Sequence, residues 1–429
     1  MKRITMKQGV RAVGAVAAIG LAGGLLTGCN SGGGPGPNGY DLTVWVYSDF
    51  VQGEAGELMD KLVEEFKDEH DNVNSVTLEP KNDAELLNSL MSGVGLPDAF
   101  SASARDGKEY RAAIDLLDLS SVFESTDYAD GFYQDALDAV SVDDGVWAIP
   151  FISYIPVIYR NLTVLEKAGV NPDEGIPTYD AFLDQLEKVD ASGTDATHSW
   201  TNNSYFAPGA VMGSDAENIT VGVEDGETTI EPSQLERTFE TVAAIEQFAN
   251  QSMTNDSDVA VEAFKSDRLG YLVGGPWQEA NFEQSGVEYD FVLVPPYEEG
   301  GWTGGLQGWD FFYGVSSGDD ERDALVSALL QQIGSYEFQK QWTIEVGRST
   351  LREDVMDDPE VISASTMAEV SSEGLKNGML QMDFMRSSVF WPSAMADPVA
   401  KLGTGKLTPE EAAERFVEGI NQLYNEAGE

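Results

Sequence analysis

Residues 263–317 read AFKSDRLGYLVGGPWQEANFEQSGVEYDFVLVPPYEEGGWTGGLQGWDFFYGVSS. Apolar side chains alternate at Leu269, Tyr271 and Val273, which predicts a strand, and Gly274-Gly275-Pro276 stops it. Trp277 stands just past that stop, and a helix is expected over 278–284. A second apolar run, Phe291 to Val294, ends at Pro295-Pro296, and a third begins near Phe311. In open α/β sheets ligands collect at strand ends, where diverging loops leave a crevice. Trp277 and Trp309 both lie beside glycine-rich turns that would leave their faces open. Core packing is the competing reading for each, because apolar-patterned elements bury most of their aromatics.

Upstream, Leu42 to Tyr47 predicts a strand, followed by a loop at 48–53. Leu58, Leu62 and Phe66 form the stripe of an amphipathic helix over 54–70. Val76 to Leu78 predicts a second strand, 84–91 a short helix, and 96–100 the entry to a third strand. This β-α-β-α-β order favours a parallel sheet with helices on its faces. Farther on, Thr178 is placed to cap a helix, and Leu235, Phe239, Val242 and Ile245 share one face of another. Residues 199–206 (SWTNNSYF) are aromatic and polar without helical period, which suits a pocket loop. Helices are expected over 323–334 and 336–346 and from 354 onward, and Thr408-Pro409 opens the last one.

The chain has 429 residues, enough for two ordinary domains, and 42% of them are hydrophobic. Its charge is the unusual quantity: 74 acidic residues against 25 Lys and Arg, a net −49. Self-repulsion of this size strains a compact fold unless salt screens it, to a range of about 3 Å at 1 M. The acids are spread over the whole chain, so the simplest account is a protein built for high salt, as in a halophilic archaeon. Nucleic acid is excluded as a partner, because no basic groove can be assembled from this inventory.

Cys29 is the single cysteine, so no disulfide framework and no cysteine-based metal site exist. Lys2, Arg3, Lys7 and Arg11 precede an apolar run from Val13 to Leu26 and the tetrapeptide Leu26-Thr27-Gly28-Cys29. That layout predicts a secretory signal over 1–28, and L-x-G-C resembles the lipobox in which the cysteine is lipidated. A transmembrane anchor is the rival; the run is short and glycine-rich for a span of about 20 residues. Residues 29–40, rich in Gly, Pro and Asn, read as a flexible tether. Asn161, Asn202, Asn218, Asn250 and Asn255 each begin an N-x-[ST] sequon.

Taken together, Ala263-Phe264, Gly270, Gly275-Pro276-Trp277, Pro295-Pro296 and the Gly300-Gly301 turn resemble the extracellular solute-binding proteins of ABC importers, of the maltose-binding-like type. Gly95-Leu96-Pro97-Asp98, the run Pro150, Tyr154, Tyr159, Asn161, Leu165 and Gly169, and Gly347 to Arg352 extend the resemblance over nearly all of 41–429. It implies an α/β fold of two lobes, each a mainly parallel sheet flanked by helices, with a ligand cleft between them. One lobe would comprise 41–152 and 306–352, the other 153–305 and 353–429. Trp277 and Trp391 match the family's sugar-stacking tryptophans, while Trp309, Tyr205 and Tyr154 fall on loops expected to face the cleft. Asp49, Arg105 and Asp106 stand where the family contacts ligand, although the aromatic expected beside Arg105 is missing and a solvated surface pair is an equal reading there.

The resemblance implies a monomeric cell-surface lipoprotein, anchored to the membrane at Cys29, that passes a small-molecule sugar to ABC permease subunits, with no cofactor or metal and no catalytic residues. Only His70 and His198 occur, far apart, and no nucleophile-elbow, phosphate-loop or dinucleotide motif follows a suitable strand. The alternatives are a binding protein for another polar solute and a secreted glycoside hydrolase, whose carboxylate pair no sequence with 74 acids can reveal.

Overall fold

The computed structural model describes residues 39–427, apart from 82, 105–106, 125, 143, 201–205, 216–217, 220–222, 225–226, 251–256, 304–307, 365 and 378–389. The expected signal, Cys29 and the tether as far as residue 38 lie outside the described residues, while Tyr40, expected at the tether's end, is buried as the first residue of a strand. Among those described, no helix is long and apolar enough to cross a membrane.

Among the described residues nine strands form the two larger sheets, beside two short two-stranded ones. The first contains β1 (Tyr40–Tyr47), β2 (Val73–Lys81), β3 (Ala99–Ser103), β4 (Ile149–Tyr154) and a late strand, Gly308–Gly314. The second contains β5 (Val157–Asn161), β6 (Ala196–Trp200), β7 (Leu269–Gly274) and β8 (Tyr289–Leu293); the late strand is β9. Their orders are β2-β1-β3-β9-β4 and β8-β5-β7-β6. β1 is parallel to β2 and β3, and β6 to β7. β9 runs antiparallel to β3 and β4, and β5 antiparallel to β7 and β8.

One reversed strand per sheet follows from the chain's crossings. β4 ends at Tyr154 and β5 begins at Val157 in the other sheet; β8 ends at Leu293 and β9 begins at Gly308 back in the first. A chain that leaves one sheet at the end where its strands finish enters the other at that same end. Its first strand there must then run against the rest. The two reversed strands thus mark the edge at which the chain passes from one sheet to the other. A third crossing runs along β4: Thr350 bridges Ile152, and the Leu351 N–H donates to the Phe151 carbonyl at 2.9 Å.

Strand alternation sorts the first core. Leu42, Val44 and Val46 face a layer with Phe66, Phe151, Phe312 and Trp342, whereas Trp45 faces one with Phe100, Phe311 and Tyr313. In the second sheet Tyr271 and Val273 join Leu235, Phe239, Val242 and Ile245, the stripe expected of the helix Pro232–Glu246. Leu269 and Leu272 face Phe264 and Phe282 instead. The capping expectations hold: Thr178 accepts from the Ala181 N–H, and Thr408 and Glu411 exchange backbone bonds at 3.2 and 2.8 Å. Two details differ from expectation. The loop after β1 is a 3-10 turn, Ser48–Val51, and the helix from Tyr336 stops at Gln341, passing into a π-turn, Trp342–Val346. Gly347 closes that turn at φ 75°, a left-handed conformation that suits glycine.

One sequon is buried. Asn161 is fully buried at the start of the helix Leu162–Ala168, where its side chain accepts from the Val164 N–H and donates to the Phe264 carbonyl at 2.9 Å. It serves as a helix cap, so this sequon does not present its asparagine at the surface. Asn218 is exposed, while Asn202 and Asn255 lie outside the described residues.

Candidate functional site

The edge where both sheets are crossed collects the ends of β1, β2, β3, β4 and β7 and the starts of β5 and β9. At the end of β1, Asp49 sits in the 3-10 turn and its carboxylate receives the Arg348 guanidinium at 2.6 Å. Arg348 lies over the Phe50 ring, 5.9 Å from its centroid, and that ring is buried against Phe151 and Trp342. The Asp49 side chain is half exposed, at 49%, and that of Arg348 is 16% exposed. The hydroxyl of Tyr47 donates to the buried Asp310 on β9 at 3.5 Å. Lys81, at the end of β2, stands 3.7 Å from Glu79 and over the Trp45 ring.

The second sheet contributes the stretch with which the sequence reading began. β7 stops at Gly274, the Gly275 carbonyl accepts from the buried Tyr159 hydroxyl at 2.9 Å, and Trp277 follows in a 3-10 turn, Pro276–Gln278. Trp277 is therefore held just past a strand end, as expected. Glu279 opens the next helix, Glu279–Ser285. Burial first, and the neighbouring Glu283 second, push its carboxyl up to about 7. A Cβ built on Gly347 would stand 3.9 Å from Glu279 Oε2, so this carboxyl faces the segment that carries Arg348.

The other expected site residues are placed as follows. Trp309 is on β9, in register with Ser153, and only 4% exposed among Phe311, Tyr313 and Trp45. Its expected place on a loop with an open face is corrected: β9 begins at Gly308, three residues before the Phe311 start expected, and takes Trp309 into the sheet. Tyr154 is the last residue of β4, in register with Gly308, and so belongs to a strand end and not to a loop. Trp391 is the second residue of the helix Phe390–Gly403. Arg105, Asp106 and Tyr205 lie outside the described residues. Of the expected pocket loop, Ser199 and Trp200 belong to β6 and Phe206 opens a helix.

Sequence reasoning missed Arg348 and Glu279 as members of this edge. Glu279 was findable, two residues past Trp277. Arg348 had no local signal, since its partner Asp49 is nearly three hundred positions away. Among the described residues no cluster of His, Cys, Asp or Glu is arranged to hold a metal. His198 is buried, its Nε2 2.8 Å from the Ile245 carbonyl, and burial pushes it down to about 4. It is a neutral core side chain.

The family profile described as bacterial extracellular solute-binding protein matches residues 61–369, which includes both sheets apart from β1. The chain is a bacterial-type extracellular solute-binding protein. Among curated relatives, this solute-binding protein is similar to the sn-glycerol-3-phosphate-binding periplasmic protein UgpB of Rhizobium meliloti, 21% identical over 307 residues, 67% of this chain and 70% of that one. Among solved structures it resembles the GacH receptor of Streptomyces glaucescens, described unliganded and with acarbose, at a TM-score of 0.70 and 18% identity over 90% of this chain and 98% of that one. It likewise resembles maltose-bound MalE3 of T. maritima, at a TM-score of 0.70 and 17% identity over 89% and 99%. At such identities the likeness to the solved structures is one of fold. The solute-binding protein has the two-sheet α/β architecture of those receptors, and its place is extracellular or periplasmic.

Proposed function

We propose that this solute-binding protein captures a carbohydrate, a mono- or oligosaccharide, between its two lobes and delivers it to the permease subunits of an ABC transporter. The observation that carries the reading is the placement of Trp277 in a 3-10 turn just past the end of β7, on the edge where the chain crosses between sheets. Pyranose rings have apolar C–H faces and polar rims, and an aromatic beside carboxylate and guanidinium groups suits both. The acarbose- and maltose-bound receptors of the same fold support it. Trp391, Tyr205, Tyr154, Asp49, Arg105 and Asp106 complete the proposed site, while Trp309, buried in the first sheet, is left out of it. The lobes divide as 41–152 with 306–352 and 153–305 with 353–429, and closure over the ligand brings their walls together.

The same reading makes the protein a receptor and not an enzyme, a monomer, lipid-anchored through Cys29 at the outer face of the membrane, and adapted to high salt as in a halophilic archaeon. The lipobox-like tetrapeptide at 26–29 and the net charge of −49 support the last two. Binding of another small polar solute is the alternative, with glycoside hydrolysis behind it; release of product from an oligosaccharide would favour the hydrolase.

Calorimetry and melting on Trp277→Ala test the reading. A stacking role predicts affinity for the bound sugar reduced about ten- to thirtyfold, from 1–2 kcal/mol of lost contact, with melting nearly unchanged. A core role predicts the reverse, a stability loss of about 3–5 kcal/mol with affinity intact.

A further inference from the structure

The charged side chains at the crossing edge come in compensated sets. Arg348 is bound by Asp49 at 2.6 Å, and Lys81 has Glu79 at 3.7 Å and the Trp45 ring beneath it. Asp310 is buried on β9, and Glu279 faces Gly347 from the second sheet. Arg348 and Lys81 therefore each have a carboxylate within 4 Å, and the Asp310 and Glu279 carboxyl groups lie on the same edge. An anionic ligand needs the opposite arrangement, a guanidinium or ammonium whose charge is not already matched.

Arg348 is well placed to be such a group and is prevented from being one. Its guanidinium carbon lies 5.9 Å from the centroid of the buried Phe50 ring, within reach of a cation-π attraction. Its segment is held in turn: the Ser349 hydroxyl donates to the Ser153 carbonyl at 2.6 Å, and the Ser153 N–H donates to the Ser349 carbonyl at 3.1 Å. Among the described residues, Asp49, half exposed on the turn after β1, supplies the compensating charge. A polyol can use both members of such a pair, donating to the carboxylate and accepting from the remaining N–H groups. A phosphate monoester can use the guanidinium alone and is repelled by the carboxylate.

We propose that Asp49 acts as a positioning residue that holds and neutralises Arg348, so that the cleft selects uncharged polyols over phosphorylated ones. The inference rests on the carbohydrate reading above and adds the charge class of the ligand. It sets this protein apart from the sn-glycerol-3-phosphate-binding relative, whose ligand is an anion.

The test is calorimetric titration of the full chain with maltotriose and, separately, with sn-glycerol 3-phosphate. Wild type is compared with Asp49→Asn, Asp49→Ser and the double variant Asp49→Asn/Arg348→Gln, with melting recorded for each. The expected result is that either single change raises affinity for the phosphate ester by about tenfold or more, and that the double variant loses this gain. Two single variants guard against one that fails to fold, and a purely structural ion pair would lower stability without changing preference for charge. Unchanged affinity for the phosphate ester in both single variants overturns the proposal, as does a gain that survives Arg348→Gln. Absence of maltotriose binding to wild type counts against maltodextrin as the carbohydrate, while the phosphate-ester arm still decides the role of Asp49.

Discussion

Ser153 and Ser349 are joined by two hydrogen bonds: the Ser349 hydroxyl reaches the Ser153 carbonyl at 2.6 Å and the Ser153 N–H returns to the Ser349 carbonyl at 3.1 Å. They lie 196 positions apart, one at the end of β4 before the first crossing, the other on the third crossing. Both are buried. The crossings are thus bound side by side, so a change of angle between the lobes must move them as a unit.

Just beyond that pair, the third crossing is locked by Arg352. It is buried, donates to the Gly334 carbonyl at 3.0 Å, pairs with Asp354 and lies over the Phe132 ring. A Cβ on Gly131 would stand 1.9 Å from its Nη2. Gly131→Ala is therefore expected to destabilise the first lobe by about 1–3 kcal/mol, as overpacking does. Chemical denaturation checks this, and a stability equal to wild type would show that Arg352 is free to move.

The pH response of two perturbed groups, half-buried Glu279 and buried His198, should have opposite signs. Glu279 is raised from 4.5 to about 7, so the native state binds more protons and stability falls as pH rises between those values. His198 is lowered from 6.5 to about 4, so the native state binds fewer protons and stability falls as pH drops between those values. The melting advantage of Glu279→Gln over wild type should grow from pH 4.5 to 7 and then level. Relative to wild type, His198→Gln should gain as pH falls from 6.5 to 4. Melting curves at matched pH decide both, and equal slopes in variant and wild type would refute the assignment.

Asn161 should carry no glycan, although Asn161-Leu162-Thr163 is a sequon. Intact mass and peptide mapping of protein from a glycosylating host test this. Asn161→Ala should cost about 2–3 kcal/mol, from the lost cap and the Phe264 carbonyl left without its donor.

Salt should control stability. With residues 1–28 removed, which hold four basic residues and no acids, the remainder carries −53, four below the −49 of the whole chain. Lowering salt from molar to 0.1 M lengthens the range of repulsion from about 3 to about 10 Å. The melting temperature should fall steeply over that interval in a circular-dichroism series. A flat response would refute the high-salt reading.

The order of strands and helices, the stop at Gly274-Gly275-Pro276 and the caps at Thr178 and Thr408 were all determined by sequence alone. They rest on periodicity, glycine and proline geometry, and hydrogen bonds spanning three or four residues, all local quantities. What the tertiary structure decided is non-local. Trp309 resembles Trp277 in its glycine-rich surroundings, yet pairing of β9 with β3 and β4 takes it into the core. Asn161 carries the same motif as an exposed acceptor, but its amide is fully buried and donates to the Phe264 carbonyl, which leaves no access. Asp49 met Arg348 only because three crossings fold back on one edge, where a charge finds its partner by position in space and not along the chain.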